Sequence, residues 1–98
     1  MSYDEDLSRL HKRLDDLERR LAEKEAAIAK AGALSSHDRR RVEELYDKAR
    51  ISREKLLASE RSTWDAVKHD LEADWDALAG SFDHWVEQVD ARYRQGRS

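Results

Sequence analysis

The chain has 98 residues, enough for one domain, and 42% of them are charged, with three glycines, no proline and no cysteine. That composition points to long helices and away from a compact mixed fold, and it excludes disulfides and thiolate metal sites. Net charge is only −3, but it is unevenly spread: −1 over residues 1–31, +2 over 32–61, −6 over 62–93 and +2 over 94–98.

The opening residues, Met1 to Asp6, lack the basic and apolar regions of a signal peptide. No apolar run approaches the roughly 18 residues of a membrane span. A cytoplasmic protein is the expectation.

The first predicted element is a heptad helix over about residues 4–31. Leu7, Leu10, Leu14, Leu17, Leu21 and Ile28 alternate spacings of three and four, and Lys24 fills the missed slot. Asp4, Glu5 and Asp6 suit the positive end of a helix. Gly32 fits a C-terminal cap, and residues 32–35 read as the turn. Arg13 and Arg20 are spaced to meet Glu18 and Glu25 of a parallel partner helix, but exposed pairs of this kind contribute only about 0.3–0.5 kcal/mol each. The turn signals therefore outweigh them, and an antiparallel hairpin is expected.

The second helix starts at about residue 36. Ser35 and Asp38 have capping-box spacing, with Asp in the Glu position. Val42, Leu45, Ala49 and Leu56 continue the apolar face and complete the hairpin seam with the leucines of the first helix. Paired residues should have numbers that add to about 70.

Beyond residue 61 the chain repeats an eleven-residue pattern. Trp64, Trp75 and Val86 share one position; Val67, Leu78 and Val89 share a second; Leu71, Phe82 and Tyr93 share a third. Eleven residues in three turns is close to the natural helical period, so these side chains stay on one stripe. Leu45 and Leu56 keep the same phase, which favours one continuous helix over about 36–94. Ser59 to Thr63 and Gly80 are the weak points. A break near residue 60 gives the alternative, a three-helix bundle.

The fold class expected is therefore all-α: an antiparallel helical hairpin or coiled coil with a long second helix, in one domain spanning 1–98. In a straight hairpin the first helix ends opposite residues 63–66, just where the tryptophan repeat begins. Ten side chains then project beyond it: Trp64, Val67, Leu71, Trp75, Leu78, Phe82, Trp85, Val86, Val89 and Tyr93. They would expose around 1,000 Å², more than a soluble monomer tolerates. The stripe must meet another chain, fold back as a third helix or bind something apolar. Self-association through this tail is the first expectation, giving a homo-oligomer. Trp85 lies at the stripe's edge and is expected to be partly exposed.

No catalytic constellation appears, and no enzymatic activity or cofactor is expected. His11, His37, His69 and His84 share no metal-binding spacing; Asp65 and His69 lie one turn apart without a third ligand. Arg39, Arg40 and Arg41 form a short basic run with no interleaved aromatics, so nucleic acid is disfavoured as a partner. A membrane or polymer-granule surface is disfavoured by the acidic flanks of the stripe, because such surfaces reward Lys and Arg. A phasin-like coat is the alternative to a scaffold.

The heptad Leu7–Leu21, the stretch Arg41-Val-Glu-Glu-Leu45 and the spaced Trp64-Asp-Ala-Val and Trp75-Asp-Ala-Leu motifs resemble a family of small bacterial coiled-coil stress-response proteins. The resemblance implies a two-helix coiled-coil protein with a stress-related role. It transfers no catalytic residue.

Overall fold

A computed structural model describes residues 3–95. Three long helices form an up-down-up bundle 56 Å long and about 18 Å across: α1 (Tyr3–Lys30), α2 (Ser36–Ala58) and α3 (Trp64–Gln95), with one 3₁₀ turn at Arg61–Thr63. No strand occurs among the described residues, so the chain is all-α.

The α1–α2 hairpin forms where the sequence places it. Gly32 takes φ +71°, Gly32 N–H donates to the Ala29 carbonyl and Ala33 N–H to the Ile28 carbonyl, which is a Schellman ending. Ser35 Oγ accepts from Asp38 N–H at 3.1 Å, while Asp38 Oδ2 accepts from Ser35 N–H at 3.2 Å. This reciprocal box satisfies donors that the first turn leaves open. Arg53 reaches Asp15 and Glu18 of α1 at 2.8 and 3.0 Å, consistent with the expected register. Leu10, Leu14, Leu17, Leu21, Ile28, Val42, Leu45, Ala49 and Leu56 are buried in the seam, with Leu7 packed at its edge.

The continuous helix expected over 36–94 is not what forms; the chain takes the alternative, a three-helix bundle with a break near residue 60. Helix α2 stops at Ala58, and Ser59 and Glu60 are both extended, at ψ 149° and 151°. Ser59 places its Oγ–H on the Leu56 carbonyl at 2.6 Å, closing the end of α2 with its own side chain. The chain then reverses through the 3₁₀ turn, and α3 runs parallel to α1. Tyr3 holds this corner: its hydroxyl donates to the Ser59 carbonyl at 3.0 Å, and its ring meets Trp64 edge-on at 5.0 Å between centroids.

Energy decides for the break. Interrupting a helix forgoes about four backbone hydrogen bonds, each contributing about 0.5–1.5 kcal/mol net. Folding α3 back buries Trp64, Leu71, Leu78, Phe82, Trp85 and Val89. At about 1.5–3 kcal/mol per large side chain, that burial is worth on the order of 10–15 kcal/mol before entropy is subtracted.

Burial also corrects the period. Trp64, Leu71, Leu78 and Trp85 are seven apart, as are Trp75, Phe82 and Val89, and these two rows face inward. Two partner helices with heptad seams impose a 3.5-residue period on α3, and an eleven-residue row drifts away from them. Trp85, expected at the edge, is 1% exposed; Tyr93, expected on the stripe, is 36% exposed.

Candidate functional site

Two aspartates that the sequence reading assigned to helix ends are buried between helices. Asp6 lies on α1, beside the α3 N-terminus. Its Oδ2 accepts the Trp64 indole N–H at 3.2 Å and faces Lys68 Nζ at 3.1 Å, while Oδ1 takes Arg9 at 2.9 Å. Asp38 lies at the start of α2, against the far half of α3. Its Oδ1 accepts the Trp85 indole N–H at 3.1 Å, and a terminal nitrogen of Arg92 bridges both carboxylate oxygens at 2.7 and 2.8 Å. Each site thus joins a carboxylate from the hairpin to one tryptophan and one cation from α3.

Both carboxylates are held in the charged form. The indole hydrogen bond from Trp64 lowers the Asp6 pKa; burial opposes this, and Lys68 adds to the lowering. Burial is the largest influence on Asp38 and pushes its pKa up. The Arg92 guanidinium, the Ser35 backbone N–H and the Trp85 indole together outweigh burial and bring it down to about 2. These groups are charged anchors, not proton donors near neutral pH.

The α3 cations occupy positions that continue the inward rows. Arg92 stands seven after Trp85, and Lys68 seven before Trp75. Similarly, Asp38, Leu45 and Ser52 form one heptad row of α2, with Ser52 also buried. The signal missed in sequence was therefore a polar residue at one end of each α3 row, with Asp38 and Ser52 either side of Leu45 on α2; Asp6 stands on no apolar row.

The ten residues expected at an oligomer interface now have definite places. Trp64, Leu71, Leu78, Phe82, Trp85 and Val89 are core; Val67, Trp75 and Val86 are partly buried against it; Tyr93 is at the surface. The stripe is covered by the chain's own α1 and α2, so the argument from ten exposed side chains no longer calls for a partner there. Trp75 packs under the Arg13 guanidinium, 5.2 Å from its centroid. Arg13 and Glu18, whose spacing would also suit a parallel dimer, are thus directed to Trp75 and Arg53 within one chain. Lys24, the slot that interrupts the α1 heptad, reaches Asp90 of α3 at 2.7 Å.

The remaining candidates do not assemble. His37, His69 and His84 are exposed on different turns, and no group of three or more His, Cys, Asp or Glu among the described residues is arranged to hold a metal. In the basic run, Arg41 pairs with Glu44 at 3.3 Å while Arg39 and Arg40 are exposed. No described helix is long and apolar enough to cross a membrane. Comparison with protein-family models, curated proteins and solved structures gave no match.

Proposed function

We propose that the chain is a non-enzymatic helical interaction module, a three-helix scaffold that works through its outer faces. One observation carries this reading. The two buried carboxylates, the groups best placed for chemistry, are committed to Trp64, Lys68, Trp85 and Arg92 and hold α3 to the hairpin. What the bundle offers outside is helix surface of contrasting charge. The basic patch at the start of α2 stands against an α3 whose outward turns carry Asp65, Asp70, Asp76, Asp83 and Glu87. Self-association remains part of the reading, moved from the tryptophan stripe to these faces, together with the stress-related role that the family resemblance implies.

A lipid- or granule-coating role is the weaker reading, because α3 would first have to leave both aspartates and expose its core row. Cross-linking of lysines in intact cells tests the module. Links from Lys48 or Lys55 to a second polypeptide are expected, and links confined to one chain would remove the proposal. Added vesicles should leave helicity and tryptophan emission unchanged; a shift in both would favour the coat.

A further inference from the structure

Two features at the break between α2 and α3 go unused in the single bundle. Leu57 is 70% exposed, the most exposed large apolar side chain among the described residues. It stands seven residues before Trp64, so it extends the inward row of Trp64, Leu71, Leu78 and Trp85 backwards by one heptad. Ile51, which is also exposed, lies on neither inward row of α3. The second feature is phase. Leu45 and Leu56 of α2 keep an eleven-residue spacing to Val67, Leu78 and Val89 of α3, and residues 59–63 hold no glycine or proline. A helix running through 59–63 would therefore keep the apolar faces of α2 and α3 on one side and bring Leu57 into line with Trp64.

We propose that two copies of this chain exchange α3. In the exchanged dimer residues 59–63 are helical, α2 and α3 form one straight helix, and α3 of each copy lies on the α1–α2 hairpin of the other. The structure names the occupant, because α3 already fills this seat within one chain and a second copy carries the same helix. Pairs between α2 and α3 are arranged about the corner, Lys55–Asp74 close to it and Asp38–Trp85 far from it. Two straight helices crossing antiparallel at the corner residues remake these pairs between copies, and Lys24–Asp90 with them. In one chain, the burial of α3 and the backbone hydrogen bonds of an unbroken helix exclude each other. In two chains both are made, and Leu57 lies beside the crossing on an inward row. Against this stand the bonds of Ser59 with Tyr3 and with the Leu56 carbonyl, which a straight helix gives up. Association also costs entropy, so concentration sets the balance. The inference goes beyond the interaction-module reading, since exchange leaves the outer faces of each three-helix unit as they are.

The test is to refold the full chain from urea at about 1 mM and at about 1 μM and to read its mass by sedimentation velocity. A dimer is expected at the higher concentration and a monomer at the lower. Arg61→Pro separates the two states. Arg61 opens the 3₁₀ turn and Glu60 before it is extended, so proline fits the bundle and interrupts a straight helix. It should lower the association constant at least about a hundredfold and leave the monomer's melting temperature nearly unchanged. Leu57→Asp should weaken the dimer about tenfold, again without harm to the monomer. The chain has no cysteine, so Lys24→Cys chains and Asp90→Cys chains can be refolded together and joined by a short bismaleimide. Exchange predicts a covalent pair containing one of each, because Lys24 meets Asp90 between α1 and α3. A wild-type chain that stays monomeric at both concentrations would overturn the exchange. So would a dimer that Arg61→Pro leaves intact or that gives no mixed pair, and such a dimer would leave the outer-face module standing.

Discussion

The two carboxylate sites use the same parts with different degrees of enclosure. Asp38 sits on an inward heptad row, accepts the Ser35 N–H in the capping box of its own helix and accepts Arg92 on both oxygens. Asp6 sits beside its row, in the first turn of α1, and divides itself between Arg9 and Lys68. Trp85, the Asp38 partner, is 1% exposed; Trp64, the Asp6 partner, closes against Tyr3 at the corner of the bundle. The difference separates a carboxylate that links two helices and starts one of them from a carboxylate that fastens a loose end. One sets the register of α3 on the hairpin, and the other closes the chain reversal at residues 59–63.

The sharpest way to break this comparison is to remove each tryptophan. Trp85→Ala should cost about 3–5 kcal/mol, from the cavity and the loss of the Asp38 hydrogen bond. Trp64→Ala should cost less, because the corner can open locally without separating α2 from α3. Urea unfolding followed by circular dichroism measures both. Equal losses would show that the two ends are energetically alike.

Removing the carboxylates is the next test. Asp38→Ala takes away the acceptor for the Ser35 N–H, one of the two capping-box bonds and worth about 0.5–1.5 kcal/mol, and strands a buried indole N–H, worth about 1–3 kcal/mol. A total of about 3 kcal/mol is expected, with Asp6→Ala distinctly smaller. If Asp6→Ala proved the more damaging, the assignment of register to Asp38 would fail.

Acid titration separates the sites further. The Asp38 pKa is depressed from 3.8 to about 2, so its contribution is fully present above the unfolded value. It is lost as pH falls through about 4 toward 2, to the extent of on the order of 2 kcal/mol. Asp6 is lowered too and adds a loss of the same sign. Unfolding free energies across this window should therefore decline for the wild type and flatten in Asp38→Asn, with the residual slope including Asp6. A slope that Asp38→Asn leaves unchanged would place the acid sensitivity elsewhere.

How much of this was readable in the sequence depended on whether polar residues interrupted the periodic signal. The α1 leucines form nearly unbroken heptads, and the Gly32 and Ser35–Asp38 signals are local, so the hairpin was legible within a residue or two. The two rows of α3 were obscured because Arg92 and Lys68 stand at their ends, leaving too few apolar positions to distinguish seven from eleven. The break was legible only as the alternative. Ser59 to Thr63 mark a weak point, but those residues have no intrinsic compulsion to leave a helix, and they do so because α3 gains a core by folding back. That gain is tertiary, so local sequence could locate the break but not decide for it. The exposed stripe was a sound physical objection to an open hairpin, and the chain itself meets it.

Gly80 gives the smallest expected effect and the cleanest contrast with the two ends. It lies mid-helix on the exposed side of α3, without positive φ, and a Cβ built there meets no atom within 4 Å. Nothing in the packing requires glycine, so Gly80→Ala should stabilise the chain by about 0.5–1 kcal/mol through lower backbone entropy in the unfolded state and better helix propensity. The gain should appear as a higher urea midpoint with an unchanged slope. Because Gly80 touches neither aspartate, this gain should add to the losses at Trp85 and Trp64. Failure to add would mean that α3 responds as one elastic unit, and the division into a register end and a fastening end would have to be given up.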